Sequence, residues 1–368
     1  MNIAISVIIP VFNQKKYVGK CIRSVLGQSF GDIEVIIVND GSTDESLKIC
    51  QQYANKDARI TIIDKQNEGV AYARRDGFLK ARGEYICFLD SDDYLASDAL
   101  SVLYGLAKKH HVDSVVGNHD KVWDNWGVVK KKAVPYSKEF IDRLIGSTEL
   151  IPMMLGLGGK NNFGIAIWGR LYRRDCVIKA NETNPDMLFP KLEFQFEDNL
   201  FNLAITPFLQ SVWITNTIVY NYRFGGITSK DVPAIRYGGF ITDERYAQII
   251  KQGCLSALPL LFERYVSLLC WDVLNQIQFQ SQNENEIRCF LSEELAVRRI
   301  VLWARQQSSE SLNDMRNDSL SLYVLNGDVD AFLSKVWERE KFLRKHHYWK
   351  MKIMSYYQAV ADAIDHVI

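Results

Sequence analysis

The chain of 368 residues carries no net charge, since 44 lysines and arginines balance 44 aspartates and glutamates. Without an excess of either sign, no global field draws nucleic acid or an acidic partner. The seven cysteines, Cys21, Cys50, Cys87, Cys176, Cys254, Cys270 and Cys289, are odd in number and form no CxxC pair. That pattern excludes a disulfide framework and suits reduced thiols in a cytosolic protein. No apolar run approaches the ~18 residues that a membrane span needs. No G-x-G-x-x-G follows the first apolar run, which leaves a dinucleotide-dependent oxidoreductase without its phosphate loop. Internal repeats and low-complexity tracts are also missing.

What is there suits a globular protein: 47% of residues are hydrophobic and 24% charged. The length suggests about two domains. The opening MNIAISVIIPVFN lacks a basic flank and a small-residue cleavage site, so it reads as a first strand and not a secretion signal. From Ile3 to Ile9 a β-branched run is closed by Pro10. Apolar positions at helical spacing (Val18, Ile22, Val25, Leu26) predict a helix over 18–26. Ile33–Val38 reads as a second strand, and Ser42 with Glu45 as a capping box opening a helix through Tyr53. Ile60–Ile63, Gly69–Ala81 and Tyr85–Leu89 predict a strand, a helix and a strand. Short apolar strands alternating with amphipathic helices predict an α/β fold: a mostly parallel sheet with helices on both faces. In such sheets ligands sit beyond the carboxyl ends of the strands.

Residues 112–230 mix strand-like runs (Ser114–Gly117, Val212–Ile214) with Gly-rich loops such as 155–164, which would border a site. From about 235 the chain reads as helical. The predicted domains are therefore 1–230 and a mainly helical 231–368.

Polar clusters fall at the four predicted strand ends, and the fourth is the densest: FLDSDD places Asp90, Asp92 and Asp93 directly after an apolar strand. Like charges this close repel, and two carboxylates two residues apart point the same way on an extended chain. They would aim into one cleft and hold a hard divalent ion, Mn²⁺ or Mg²⁺. The same residues also suit a solvated loop leading to a Ser97 or Asp98 helix cap. Asp40 reads equally as an acceptor for a pyrimidine N–H or as a turn residue. Asn13 reads as a cap for the helix that follows it. Arg74 and Arg75 would meet a diphosphate or lie in solvent.

In combination, VIIPVFN, VNDGSTDES, QNEGVAYARRDG and FLDSDD resemble, in order and spacing over about residues 3–100, the family 2 glycosyltransferases of GT-A fold. WGRLYRRD (168–175), FEDNLF (196–201) and YNYRFGGITS (220–229) extend the resemblance more loosely; nothing after about 230 matches. The resemblance implies a nucleotide-sugar donor, most often a UDP-sugar, and inverting transfer to a hydroxyl of a saccharide or lipid-linked saccharide, in bacterial surface polysaccharide or oligosaccharide assembly. It implies that Pro10, Val11 and Asn13 line the nucleotide pocket and that Asp40 reads the base. Asn67 and Arg74 would hold the nucleotide, Asp90 with Ser91 the ribose side, and Asp92 with Asp90 the metal. Asp198 matches the catalytic base, with Glu197 as its competitor, and Arg223 would reach the diphosphate. Trp168 and Tyr172 would stack on an acceptor sugar or fill a core.

Two other classes remain at this point. A nucleotidyltransferase would want a Gly-rich basic loop after the first strand, where PVFNQKKY has no glycine. A non-catalytic nucleotide-sugar-binding module would not require Asp90, Asp92 and Asp198 together. The tail at 335–352 interleaves basic and aromatic residues; it would rest on an anionic membrane at the inner face of the cell membrane, or pack on the domain or on a second subunit. His346 and His347 lack a carboxylate at metal spacing, which leaves no zinc site.

Overall fold

The computed structural model describes residues 3–123, 129–131, 136, 138–146, 149, 166–190, 197–223, 284–307 and 319–338, together with scattered positions between 243 and 273. The expected loop at 155–164, most of the tail and Cys254 lie outside them. The chain divides into two compact units, 1–124 with 128–230, and 125–127 with 231–368.

The first unit is built on one mixed sheet. Its strands are β1 (Ile5–Val11), β2 (Ile33–Asp40), β3 (Ile60–Lys65), β4 (Tyr85–Phe88), β5 (Tyr94–Leu95), β6 (Ser114–Trp123), β7 (Val129–Lys131), β8 (Leu144–Gly146), β9 (Arg170–Arg173) and β10 (Ser211–Arg223). The order is β3-β2-β1-β4-β9-β6-β10-β5, with β7 on β6 and β8 on β10. Strands β1 to β4 pair in parallel, as expected. Beyond them the sheet is mixed: β10 runs parallel to β6, while β9 runs antiparallel to both β4 and β6. The short arginine-rich run that forms β9 carries no apolar alternation to announce it.

Helices α1 (Val18–Leu26), α2 (Ser46–Ala54), α3 (Val70–Lys80), α4 (Ala99–His110), α5 (Arg174–Thr183), α6 (Pro185–Leu188) and α7 (Glu197–Ile205) complete this unit. All seven residues of β1 are buried because both faces of the sheet are covered. Val7 and Ile9 join Val18, Ile22 and Leu103 on one side. Ile8, one pleat away, joins Ala73, Phe78, Phe88 and Phe201 on the other. Helix α3 lies so close to β1 that a Cβ on Gly77 would stand 2.5 Å from Ile8 Cγ2.

Three local expectations fail, each for a long-range reason. Pro10 does not close β1 but pairs within it, opposite Val38. The ladder toward β4 ends at Ile8–Phe88, so the position that lacks an N–H has no neighbour to donate to. Ser42 and Glu45 form no capping box: α2 starts at Ser46, and Ser42 Oγ accepts the backbone N–H of Asn13 at 3.0 Å. Asn13, in turn, does not cap α1. It adopts a left-handed φ of 52° and its Oδ1 accepts the N–H of Thr43 at 2.8 Å. Gln14 N–H donates to Ser46 Oγ at 2.7 Å, so the loops after β1 and β2 are zipped together.

In the second unit, helices α8 (Glu284–Val297), α9 (Arg299–Arg305) and α10 (Ser319–Asn326) bury Ile287, Leu291, Ile300, Val301, Val324 and Phe332. Arg298, at the turn between α8 and α9, forks onto Glu294 at 2.6 and 2.7 Å and reaches Asp243 at 2.8 Å. Among the described residues no helix is long and apolar enough to cross a membrane. Cys21, Cys50, Cys87 and Cys176 are buried thiols outside any disulfide.

Candidate active site

The carboxyl ends of β1, β2 and β4 open onto a cavity of about 390 Å³. Its wall brings together Pro10, Val11, Asp40, Asn67, Arg74, Asp90, Ser91, Asp92 and Glu197, residues that the sequence pattern singled out from five separate segments. Phe12, Gln14, Gly69, Val70 and Ala73 also line it. They went unnoticed because none of them carries a charge.

Asp40 ends β2 and is 3% exposed. Its two oxygens accept the N–H groups of Glu68 at 3.0 Å and Gly69 at 2.9 Å. It therefore satisfies orphan donors where α3 begins, in the manner of a helix cap, while facing the cavity. Gly41 follows at φ 72°, with room for a Cβ only 2.7 Å from Asn67 N. That close approach presses the loop bearing Asn67 against the end of β2.

Helix α3 projects Arg74 into the cavity wall, 3% exposed. Its Nη2 donates to Asp90 Oδ1 at 2.8 Å, and its Nη1 reaches Asp198 Oδ1 at 2.9 Å and Glu197 Oε1 at 3.3 Å. One guanidinium thus joins the β4 end to the first turn of α7, and its Nε finds no partner among the described residues. The second oxygen of Asp198 accepts the N–H of Ile167 at 3.3 Å. Burial pushes the Asp198 carboxyl up to about 7; Arg74 pulls it down, while the charges of Glu197 and Asp90 push it up. One cation facing three carboxylates leaves the cluster with excess negative charge.

Asp92 is pushed up to about 6, by burial first and then by the charge of Asp90. Asp93 turns away from the cavity. It is 2% exposed and accepts the Tyr220 hydroxyl at 2.8 Å and the Arg223 N–H at 2.6 Å. Arg223 Nε donates to the Asp92 carbonyl at 2.6 Å. Strand β10 thereby clamps the acidic turn, and Arg223 is placed behind that turn, outside the cavity lining. Asn13 likewise stands outside it, holding the loop. Tyr220 was missed although it lies in the YNYR run; its hydroxyl also accepts the Asp90 N–H at 3.3 Å.

Trp168 stacks on Tyr220 at 4.4 Å and on Tyr222 at 5.5 Å between ring centroids. Its neighbours in this structure are protein rings. Tyr172 is fully buried against Phe88 and Phe201, which removes it as a sugar platform and makes it core.

The site therefore combines a pair of carboxylates on one wall, a buried arginine with a donor left over, and a separate buried carboxylate. Known proteins bear on it. Residues 6–175 match the family described as Glycosyl transferase family 2. Glycosyltransferase GlyA of Streptococcus pneumoniae is 30% identical over 224 residues, 60% of this chain and 30% of GlyA. The uncharacterized glycosyltransferase EpsJ of Bacillus subtilis is 33% identical over 231 residues, 62% of this chain and 63% of EpsJ. The chain spans less than two thirds of either relative. The crystal structure of S. aureus TarS 1-349 in complex with UDP-GlcNAc has the same fold, with a TM-score of 0.64 at 19% identity over 89% of each chain. The likeness to glycosyl transferase family 2 thus lies in residues 6–175, the part of the chain that carries the cavity lining apart from Glu197.

Proposed function

We propose that this protein moves a sugar from a nucleotide diphosphate sugar to an acceptor hydroxyl with inversion at the anomeric carbon. The match of residues 6–175 to glycosyl transferase family 2 supports the transfer. The complex of TarS, a chain of like fold, with UDP-GlcNAc supports a UDP-sugar as donor. The acceptor class is a saccharide or lipid-linked saccharide in bacterial surface polysaccharide or oligosaccharide assembly, met in the cytoplasm or at the inner face of the membrane.

The observation that carries this reading is Arg74, which draws Asp90 on the cavity wall and Asp198 from a segment over a hundred residues later onto one guanidinium. Asp198 takes the proton of the attacking hydroxyl, oriented by the Ile167 N–H. Burial keeps it basic enough to accept that proton near neutral pH. The Arg74 Nε–H is a ready donor to a phosphate oxygen. Asp40 and Asn67 border the nucleotide end.

Asp90 and Asp92 would hold Mn²⁺ or Mg²⁺, which when bound stabilises negative charge on the leaving diphosphate. Oxygen donors suit these hard ions, and a cation would offset the burial and the Asp90 charge that push Asp92 up. Among the described residues no group of three His, Cys, Asp or Glu could hold a metal, so water and the diphosphate would complete the shell.

Calorimetry of UDP with and without Mn²⁺ tests the reading. The ion is expected to tighten UDP on the native protein and to have no effect on Asp92→Asn. Equal tightening in both removes the cation assignment, and no binding of UDP or any UDP-sugar removes the donor.

A further inference from the structure

A second concavity, of about 360 Å³, lies between α1 and α2 on the outer side of the sheet. Lys15, Lys16, Lys20, Arg23 and Lys56 line it, and none of its lining residues is a carboxylate. The chain as a whole is neutral, so this is a local accumulation of one sign with no counterpart in composition. Lys15, Lys16, Arg23 and Lys56 are exposed.

The groove is held in shape. The Tyr53 hydroxyl, from α2, accepts Arg23 Nη1 at 2.6 Å and fixes one wall against the other. Gly19 contributes backbone without a side chain, which keeps the space open. Lys20 rests 3.9 Å over the ring of Tyr94, which anchors that cation on the side of the acidic turn. Asp44 accepts the Lys15 backbone N–H at 3.1 Å but stays out of the lining. The groove also adjoins the first cavity in sequence: Phe12 and Gln14 line that one, and Lys15 and Lys16 open this one.

We propose that this groove is an anion site separate from the donor cavity, taking a phosphate-bearing ligand. Clustered cations repel one another and gain most from a ligand carrying more than one negative charge. Phosphate oxygens match the several N–H donors that lysines and an arginine present around a concave wall. A soluble phosphate chain and the headgroup of an anionic lipid share that chemistry. The proposal does not depend on the sugar-transfer reading.

The test uses the full chain with short-chain polyphosphate in one arm and, in the other, phosphatidylcholine vesicles with and without phosphatidylglycerol. A Lys16→Glu/Lys56→Glu variant and the milder Lys16→Gln/Lys56→Gln are compared with the native protein, with melting curves to confirm folding. The native protein should bind polyphosphate, weaken at least roughly tenfold from low to high salt, and keep its binding in excess UDP. The charge-reversed variant should lose that binding, the neutral one should lose part, and both should bind UDP as before. Capture of the native protein, but not the variant, by phosphatidylglycerol vesicles would assign the lipid headgroup; polyphosphate binding without capture would assign a soluble phosphate. Equal binding by native and charge-reversed proteins, no binding of either probe at low salt, or displacement by UDP overturns the site. Loss of UDP binding with polyphosphate binding intact would overturn the donor reading alone.

Discussion

Arg74 and Asp198 meet at 2.9 Å although 124 residues separate them, and the arginine is all but removed from solvent. Removing it leaves Asp90, Glu197 and Asp198 facing one another with no cation between them. Arg74→Gln should cost about 3–5 kcal/mol of stability, the usual penalty for stranding buried charge. Adding Asp90→Asn should restore part of it. Denaturant unfolding of the single and double variants measures both, and a full-strength Arg74→Gln protein would show that solvent already neutralises the cluster.

Asp198→Asn keeps the shape and removes the base. Donor affinity should change little, while transfer falls by about 10²–10⁴-fold. Calorimetry of UDP beside a transfer assay separates the two effects. Persistent turnover would hand the role to Glu197, which Arg74 holds at 3.3 Å from the same nitrogen.

Acidity should act on the unliganded fold in a defined direction. Asp92 is raised to about 6 and Asp198 to about 7 from an ordinary value near 3.8, burial being the first cause in each. The folded protein therefore holds these protons more tightly than the unfolded chain does. Their contribution to stability is complete below about pH 4 and is lost as pH rises through 6 and 7. Melting temperatures measured from about pH 5 to about pH 8 should show a decline that Asp198→Asn reduces. Activity should rise over the same interval, as the base loses its proton.

Glu34 works in the opposite sense. It accepts Ser6 Oγ at 2.7 Å, the Arg82 N–H at 2.6 Å and the Arg82 guanidinium at 2.9 Å. Burial alone would push its carboxyl up, but these hydrogen bonds outweigh it and hold it below the usual range. Its stabilisation is present above the unfolded value and disappears as pH falls through the lowered folded one. Glu34→Gln should cost about 1–3 kcal/mol near neutrality and flatten the acid limb of the unfolding curve.

Gly77→Ala offers a test of packing. Alanine normally favours a helix interior by up to about 1 kcal/mol. Here its Cβ would stand 2.5 Å from Ile8. Overpacking should win, with a net loss of about 1–3 kcal/mol.

The sequence was most readable where local pattern and tertiary packing agree. Apolar spacing placed α1 at Val18–Leu26, and β-branched runs located β2 and β3. It misled where a polar side chain serves a distant partner. Ser42 and Glu45 have the form of a cap, yet Ser42 is taken by Asn13, 29 residues away. The acidic cluster was legible because strand-end carboxylates are unusual. The junction at Arg74 was not, since it depends on where α7 docks. Asp93 and Tyr220 form a buried clamp whose two halves carry no joint signal along the chain.

The placement of β9 bears on how the protein is made. Strand β4 leaves the ribosome long before its neighbour, because that neighbour is drawn from Arg170–Arg173, and β6 lies on the far side of it. Until then β4 presents bare amide and carbonyl groups, the kind of margin that recruits stray strands. Nascent chains stalled before residue 170 should therefore lean on chaperones, and the joining of β4 to β6 awaits one short arginine-rich strand.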